Sequence, residues 1–307
     1  MLELLDFLVR VNVDAREKLG EDSWCHAFAQ DAGLLAVFDG CGGSGARQHA
    51  CYSGHSEAYM ASRLCAGALY DAFRDVPGEA ALERFAQYCQ ASFAAYRPES
   101  GQSSRIRSSM ITTLPTTMAA AFIHASGENL CATAAWAGDS RVYVLAPAGL
   151  SQLSTDDSED DDPFDTDGMM TNTLNADRAP RIRRRDCTLA LPALVLAATD
   201  GCFAYYTTPM EFEGVLLSTL LSADNPAQWE QALAEQIGKV AGDDYTLALA
   251  SFGFGSFARL QKAFLPRYRQ LCDEYLNGIV QLSPEDAASR RALWERYRPE
   301  YVKYLEG

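Results

Sequence analysis

Acidic residues stand beside glycines at the ends of five short apolar runs in this chain. The clearest run is GLLAVF, which passes directly into Asp39 and Gly40, and the run LVLAAT passes into Asp200 and Gly201 in the same way. The other three lie at GED (20–22), WAGDSR (136–141) and GDDYTL (242–247). Continuous apolar runs of this length with turn residues at their ends are typical of buried strands. The pattern therefore predicts a sheet-rich fold with carboxylates where strands meet turns.

The rest of the sequence supplies further strands and several helices. Strands are predicted in LLDFLVRVNV, WCHAFAQ, TTMAAAFIHA, NLCATAAWAG, SRVYVLA, LSQLS and the run TLALPALVLAAT. Four of these follow one another with short turns and predict an antiparallel meander over 116–154. Helical apolar spacing predicts helices over 47–66, 80–96, 209–222, 226–241 and most of 257–305. In the last segment Ser283 is the predicted N-cap, with Pro284 at the first helical position.

The charge of the chain restricts its partners. A formal net charge of -15 excludes non-specific binding to nucleic acid or to an anionic membrane, and it suits basic partners or cations. No apolar run approaches the length of a membrane span, and the N-terminus lacks the basic region of a signal peptide. The nine cysteines are scattered without framework spacing, which is typical of reduced thiols in a cytoplasm.

Two oppositely charged segments follow one another in the middle of the chain. Eight of the twelve residues from Asp156 to Asp167 are acidic, and RAPRIRRRD (178–186) is the one concentrated basic run. The acidic segment is interpreted either as a solvated loop or as a loop over a cation site that faces a basic substrate. The basic run is expected to pair with the acidic segment or with phosphate.

Carboxylates at several strand ends indicate more than turn formation. A single carboxylate beside a glycine is usually a turn residue. Strands of one sheet or sandwich bring their ends together, however, and carboxylates that converge there repel one another unless cations lie between them. Mg²⁺ and Mn²⁺ prefer such oxygen ligands. Two ions about 4 Å apart could activate a water between them and hold a phosphoryl group.

The order and wording of these stretches match a known family. Arg16 is followed by GEDS, VFDGCGG, PTTMAAAF, AGDSRVYVL, LVLAATDG and GDDYTLAL. In that order they resemble the motifs of metal-dependent protein phosphatases of type 2C, including bacterial members, from Arg16 to Phe252. The resemblance implies an α+β fold, a four-layer α-β-β-α sandwich of two antiparallel sheets flanked by helix pairs, with two Mg²⁺ or Mn²⁺ ions at one end. It also implies hydrolysis of phosphoserine and phosphothreonine by water at the metals, without a phosphoenzyme.

The resemblance also assigns roles to residues by position. Asp39 would bridge the two ions, and Gly40 would offer its carbonyl oxygen. Asp200 and Asp243 would complete the shell of one ion. The other assignments are Glu21 at the second ion with Asp22 close by, Asp139 at a weak third ion, and Arg16 at the phosphate. Because the spacing from Arg16 to Glu21 is one residue longer than usual, Lys18 is the alternative to Arg16.

The chain departs from the usual motifs at several positions. Gly20 stands where asparagine is common, and Pro115 replaces the glycine before the two threonines. Ala204 stands where the family often has a second aspartate after TDG, so we expect a third ion to bind weakly or not at all. Cys41 takes the place of a histidine or a methionine. Since methionine also occurs there, the mechanism does not require that histidine.

Cys41 also raises an alternative kind of site, because Cys41 and Arg47 match the CxxxxxR loop of cysteine phosphatases. We disfavour it, since such a loop has little need of Asp39 and the other carboxylates, and short motifs match by chance. A thiol beside carboxylates would also have a raised pKa and form little thiolate. No metal-ligand spacing relates the cysteines to the four histidines, which we expect to be structural or exposed: His26, His49, His55 and His124.

The sequence therefore predicts a cytoplasmic, monomeric, metal-dependent serine/threonine phosphatase that acts on a phosphorylated protein in a serine/threonine kinase system. The catalytic domain is predicted over 1–255, with an acidic flap over 155–185, and 256–307 form a helical extension packed on or beside it. Aromatic residues at helical spacing in the extension favour packing over a docking surface. The alternative function is a catalytically weak homologue that acts as a regulatory binding module.

Overall fold

Two antiparallel sheets form the centre of the molecule. The computed structural model describes residues 4–29, 31–96, 112–158, 170–283 and 286–305. Within these ranges the first sheet consists, in spatial order, of β1 (Leu5–Val13), β10 (Tyr245–Phe252), β9 (Ala193–Ala198), β6 (Arg141–Ala146) and β7 (Gly149–Gln152). The second consists of β2 (Ser23–Phe28), β3 (Ala32–Phe38), β4 (Met118–Ser126), β5 (Asn129–Ala137) and β8 (Arg183–Ala190).

Helices cover the outer faces of both sheets. The second sheet packs against α1 (Glu57–Asp75) and α2 (Ala81–Tyr96), and the first against α3 (Pro209–Ser222) and α4 (Pro226–Ile237). The chain continues through α5 (Phe257–Leu271), a π-helical turn (Cys272–Leu276), α6 (Asn277–Ile279) and α7 (Ala287–Tyr301). The predicted α+β sandwich and its helical C-terminal extension are confirmed.

Small side chains fill the space between the sheets. Ala119 and Ala121 of β4 belong to the same buried cluster as Ala197 of β9 and Ala248 of β10. Alanine on facing strands lets two sheets approach closely. β3 is buried along its whole length, because helices cover one face and the first sheet covers the other. This double covering explains why its sequence is a continuous apolar run instead of an alternating one.

The predicted meander over 116–154 is wrong at one connection. β4 pairs with β5 and β6 pairs with β7, but the other neighbours of β5 and β6 are β8 and β9. The turn at Gly138, which has a positive φ of 99°, carries the chain from one sheet to the other. The predicted strand TLALPALVLAAT is likewise two strands in different sheets, β8 and β9. Hairpin signals identify the turns in these cases but do not show which turns cross between layers.

Two predicted helix starts are also wrong. The helix expected from residue 47 begins only at Glu57, where the Ser56 hydroxyl accepts a hydrogen bond from the Tyr59 N–H at 3.0 Å. The preceding residues form the turns of the site instead. Ser283 does not cap the last helix, because α7 begins at Ala287 and its N-cap is Asp286. Pro284 lies outside the described residues.

The C-terminal helices share a hydrophobic cluster with the first sheet. Phe264 of α5 and Trp294 and Tyr301 of α7 are buried in that cluster beside residues of α3 and α4. The aromatic residues of the extension therefore pack as expected. The division of the chain after residue 255 remains a prediction. In the ranges that the structure describes, no helix combines the length and the hydropathy needed to cross a membrane.

Candidate active site

Strand pairing brings the predicted site residues to one end of the sandwich. In the second sheet β2 and β3 pair so that Asp22, just before β2, lies next to Asp39, just after β3. In the first sheet β6 and β10 flank β9, and their starts lie beside its end. The turns that carry Asp139, Asp200 and Asp243 therefore meet. The carboxylates beside these apolar runs therefore lie at one end of the sandwich.

Asp39 lies in the electric field of the other carboxylates. Burial raises the pKa of its carboxyl well above the ordinary value, and repulsion by Asp200, Asp22, Asp139 and Asp243 raises it further. A carboxylate held in such surroundings is stabilised in its charged form by a nearby cation. The electrostatics of this end of the molecule therefore favour cation binding.

Three neighbours of Asp39 show the same effect. Burial is the main cause in each, and it raises the pKa of Asp22 to about 8, of Asp139 to about 7 and of Asp200 to about 6. Asp22 faces inward, where its carboxylate accepts a hydrogen bond from the Thr199 hydroxyl at 2.8 Å. The Oδ1 atom of Asp139 is buried and has no hydrogen-bond partner among the described residues.

The backbone at Asp39 and Gly40 is fixed by the two threonines before β4. The carbonyl oxygen of Asp39 accepts hydrogen bonds from the Thr116 hydroxyl at 2.7 Å and from the Thr117 N–H at 2.8 Å. A Cβ atom at Gly40 would lie 2.6 Å from the carbonyl oxygen of Ala58, so no other residue fits there without displacing backbone. Pro115 contributes its carbonyl oxygen, which accepts the Cys41 N–H at 3.2 Å. Replacement of the usual glycine by proline is therefore compatible with this turn.

Glu21 is held by two neighbouring segments. The Ser56 hydroxyl donates a hydrogen bond to its carboxylate. The backbone N–H of Glu21 donates to Asp244 Oδ2 at 2.6 Å, and the N–H of Ala15 donates to Asp244 Oδ1 at 2.7 Å. Asp244 therefore positions both ends of the loop that carries Arg16. The sequence signal for this role is the doubled aspartate in GDDYTL, of which only the first residue is matched by the family motif.

Arg16 lines a cleft beside the carboxylates, together with Glu21, His55 and Asp243. The cleft has a volume of about 270 Å³. The Lys18 ammonium instead pairs with a neighbouring glutamate at 3.6 Å, and its side chain is 87% exposed. This arrangement favours Arg16 over Lys18 as the residue that faces the cleft.

The loop around Arg16 also explains one departure from the family motif. Any Cβ atom at Gly20 would collide with the carboxylate of Asp14. That carboxylate accepts the backbone N–H of Lys18 at 3.0 Å, where the chain takes a positive φ of 63°. The longer loop therefore folds over Asp14, and a side chain at position 20 would have to displace the Asp14 carboxylate.

The donor set fits a divalent cation in chemistry, although its side chains are not gathered into a shell. Within the described ranges, no three Asp, Glu, His or Cys side chains are placed closely enough to hold a metal ion as they stand. The unpartnered Oδ1 of Asp139 and the mutual repulsion around Asp39 nevertheless leave oxygen donors without hydrogen atoms or cations opposite them. Carboxylate oxygens without such partners are the kind of ligand that Mg²⁺ and Mn²⁺ prefer.

Cys41 has the properties of an inert thiol. Burial raises its pKa well above the ordinary value, and Asp39 raises it further. A thiol in this state forms little thiolate, so the alternative of a cysteine nucleophile finds no support. Two histidines lie near the same turn. His49 contacts the Glu57 carboxylate at 2.7 Å, while His55 stacks on Tyr59 with ring centroids 3.8 Å apart.

The first residues of the acidic segment are structural. Asp157 pairs with Arg183 at 2.6 Å and accepts a hydrogen bond from Asn172 at 2.6 Å. In the same basic run, Arg185 donates to the carbonyl oxygen of Leu153 at 2.9 Å. Pairing of the basic run with the acidic segment is thus confirmed for one arginine. Residues 159–169, which include most of the acidic segment from Asp156 to Asp167, lie outside the described residues.

Comparisons with known proteins agree with the motifs and the fold. The family model "Protein phosphatase 2C" matches residues 15–238. The match ends before β10 and the C-terminal helices, so Asp243 and Asp244 lie beyond it. A search of curated proteins finds no significant match to this sequence.

Several solved structures share the fold. The serine/threonine phosphatase PstP/Ppp of Mycobacterium tuberculosis is 20% identical, with a TM-score of 0.53 over 80% of this chain and 97% of that one. PppA, a regulatory component of T6SS in Pseudomonas aeruginosa, is 18% identical, with a TM-score of 0.54 over 81% and 99%. The serine/threonine phosphatase Stp1 of Staphylococcus aureus is 17% identical, with a TM-score of 0.58 over 81% and 96%. At these identities the likeness establishes the fold alone.

Proposed function

This chain belongs to the protein phosphatase 2C family and is accordingly a serine/threonine phosphatase, and on that premise we propose that it removes phosphate from serine and threonine side chains in a metal-dependent reaction. The observation that carries the proposal is the meeting of carboxylates from both sheets around Asp39. Two Mg²⁺ or Mn²⁺ ions, when bound, would supply an activated water and neutralise the phosphoryl oxygens.

Residues of the chain would share the work of binding in a defined way. Asp39 would contact both ions, supported by the two threonine contacts to its carbonyl oxygen. Asp200 and Asp243 would bind from the first sheet, and Glu21 from the start of the second. Asp22 would stay close to the ions without binding one directly, because its carboxylate already accepts a hydrogen bond from the Thr199 hydroxyl. The two sheets thereby contribute ligands to one centre.

Arg16 would bind the phosphate group of the substrate. Arg16 lines the cleft together with Glu21 and Asp243, and the planar fork of N–H donors in a guanidinium suits two phosphate oxygens. Asp244 fixes the loop on both sides of Arg16. The phosphorylated side chain of a protein would enter from this cleft, and a serine/threonine kinase would supply that substrate.

A third ion would bind weakly at most. Asp139 offers an unpartnered carboxylate oxygen for it. Ala204, which stands in place of a second aspartate, packs instead against the hydrophobic cluster of the first sheet. One carboxylate fewer lowers the affinity of such a site for a hard cation.

The proposal is tested by a titration of Mn²⁺ and Mg²⁺ into the metal-free protein, with hydrolysis of an aryl phosphate and of a phosphoserine peptide as readouts. The wild type is expected to bind metal and to hydrolyse both compounds. Asp39→Asn is expected to lose about 100-fold in kcat/KM, or about 2.7 kcal/mol of transition-state stabilisation. Asp224→Asn, at an exposed position outside the site, is the matched control.

Two results would contradict the proposal. Equal activity in Asp39→Asn and the wild type would show that the reaction does not depend on a metal centre at Asp39. Metal binding by a wild type that hydrolyses neither compound would favour the alternative function, a regulatory binding module.

A further inference from the structure

A buried arginine lies directly behind the turns of the site. Arg141 is the first residue of β6, two positions after Asp139, and its side chain is 2% exposed. It lies on the same face of β6 as Tyr143, which packs against the helices. Its guanidinium forms two hydrogen bonds with Asp156, Nε to Oδ1 at 2.8 Å and Nη2 to Oδ2 at 2.7 Å. The direction of this side chain is therefore fixed by a fork-to-fork contact.

The same guanidinium connects two of the turns that bear site carboxylates. It lies over the Phe203 ring at 4.5 Å, and Phe203 ends the short 3-10 turn that begins with Asp200. The positive charge acts on both turns, since it lowers the pKa of Asp139 and of Asp200 against the larger raising effect of burial. A displacement of Arg141 would therefore change the packing and the electrostatic field at two of the proposed metal ligands, Asp139 and Asp200.

The third contact of Arg141 comes from the C-terminal helix. Nη1 donates to the hydroxyl of Tyr301 at 3.4 Å, and Tyr301 is itself 1% exposed. The Tyr301 ring lies 6.2 Å from the Tyr143 ring. The hydroxyl of Ser151 on β7 also donates to the carbonyl oxygen of Glu300 at 2.8 Å, which attaches this end of α7 to the sheet. The position of Tyr301 is thus fixed by Arg141 at its hydroxyl and by Ser151 at the adjacent backbone.

From these contacts we propose that Tyr301 is a positioning residue for the metal site, acting through Arg141 on the turns of Asp139 and Asp200. The proposal rests on the proposed function for its link to metal binding. It assigns a role to α7, which lies beyond the residues that match the family model. The C-terminal helix is then a support of the site as well as a cover of the sheet.

The contact is suited to positioning because its loss cannot be replaced by water. Tyr301, Arg141 and Tyr143 are all buried, so a guanidinium N–H that loses the tyrosine hydroxyl has no solvent to bind. The guanidinium is expected to shift toward another acceptor and to carry Phe203 with it. Removal of one oxygen atom is sufficient for this effect, while the ring keeps its packing.

The experiment compares Tyr301→Phe with Tyr297→Phe. Tyr297 lies one turn earlier on α7, is equally buried, and donates its hydroxyl to Glu213 away from Arg141. Both variants lose one hydroxyl from the same helix. Tyr275→Phe, a further buried tyrosine of the extension, replaces the control if Tyr297→Phe does not unfold cooperatively. Mn²⁺ affinity is measured by calorimetry, and backbone hydrogen exchange is measured without metal in peptides covering 138–142 and 200–204.

Tyr301→Phe is expected to weaken Mn²⁺ binding about three- to tenfold, less than the 10- to 100-fold typical when a direct partner of a ligand is lost. Hydrogen exchange at both peptides is expected to accelerate in the metal-free protein. The control is expected to change Mn²⁺ affinity less than twofold and to leave both peptides unaffected. Unchanged exchange in Tyr301→Phe, or equal changes in the control, would overturn the inference. If the wild type binds no Mn²⁺, the proposed function fails, and the exchange data still decide the role of Tyr301.

Discussion

Two arginine–carboxylate pairs lie on the helix-covered side of the first sheet, and α7 contacts both. Arg141 binds Asp156 at 2.8 and 2.7 Å, and Arg267 binds Glu213 at 2.7 and 2.8 Å. The geometry of the two pairs is nearly the same, and each has a tyrosine of α7 as a third member. Their surroundings differ, since one pair lies behind the carboxylates of the site and the other lies between helices.

The role of the tyrosine is reversed between the two pairs. Tyr297 donates its hydroxyl to Glu213 at 2.6 Å, whereas Tyr301 accepts from Arg141 at 3.4 Å. Glu213 is fully buried and accepts hydrogen bonds on both carboxylate oxygens. Because Glu213 lies on α3, Arg267 on α5 and Tyr297 on α7, these contacts connect the three helices. The charge of Arg141, in contrast, also acts on Asp139 and Asp200, because it lowers the pKa of both carboxyls against the larger effect of burial. The same side-chain chemistry therefore stabilises the fold in one place and, in our proposal, supports the metal site in the other.

Replacement of Arg267 by methionine is expected to produce the largest effect on stability. It leaves Glu213 buried without a cation, which costs about 3–5 kcal/mol in free energy of unfolding. Urea denaturation measures the loss. Because this pair lies away from the site, Mn²⁺ affinity of the folded variant is expected to match the wild type. A change in affinity would mean that the two pairs are not separate in function.

The double variant Arg267→Met with Glu213→Gln separates the cost of the unpaired charge from the cost of lost packing. It removes the buried charge while keeping an acceptor for Tyr297, so at least half of the lost stability is expected to return. Stability as low as in the single variant would show that packing, and not the unpaired charge, carries the cost.

Loss of a tyrosine hydroxyl is expected to lower the free energy of unfolding by a smaller amount, and by different amounts in the two pairs. Tyr297→Phe removes a short hydrogen bond to a buried carboxylate and is expected to cost about 1.5–3 kcal/mol. Tyr301→Phe removes a longer contact and is expected to cost less than about 1 kcal/mol of unfolding free energy. Denaturation of both variants in parallel gives the comparison. A larger loss in Tyr301→Phe would assign the stabilising role to the Arg141 pair instead.

An exposed pair provides the smallest expected effect. Arg184 binds Asp186 at 2.9 Å on the edge strand β8, with side chains 56% and 63% exposed. Arg184→Ala is expected to change unfolding free energy by less than about 1 kcal/mol, and high salt is expected to reduce the difference further. An effect as large as that of Arg267→Met would show that burial does not control the strength of these pairs.

The same exposed pair has a defined pH dependence. The pKa of Asp186 is lowered, first by the hydrogen bond from Thr133 and then by Arg184. A folded-state pKa below the unfolded value means that the contribution is present at neutral pH. It is lost as the pH falls from about 4 through the folded pKa. The stability difference between the wild type and Arg184→Ala is therefore expected to shrink only in acid.

The sequence predicted most of the sheets and the residues that meet at their ends. β3 could be recognised because a strand covered on both faces must be apolar throughout, and Asp39 follows it directly. β8 was predicted only in part, since its first half is the polar edge sequence Arg183–Asp186. The crossing at Gly138 could not be predicted, because a hairpin turn and a turn between layers use the same residue types.

Contacts between distant residues were beyond the reach of the sequence. Arg141 and Tyr301 are 160 positions apart, and nothing in either segment indicates the other. Asp244 has a similar origin, since its bonds to Ala15 and Glu21 span more than 220 positions. Motif spacing could indicate the proposed ligands, but the residues that hold those side chains depend on the packing of the whole chain.

The position of β1 has a consequence for how the protein is made. β1 is the edge strand of its sheet, and its partner there is β10, which is synthesised more than 230 residues later. The loop of Arg16 that follows β1 is tied down by Asp244, immediately before β10. During synthesis β1 therefore has no strand to pair with in its sheet until Tyr245–Phe252 has left the ribosome. The loop of Arg16, to which we assign phosphate binding, is then among the last parts to fold, and we expect the nascent protein to be inactive until the sandwich is complete.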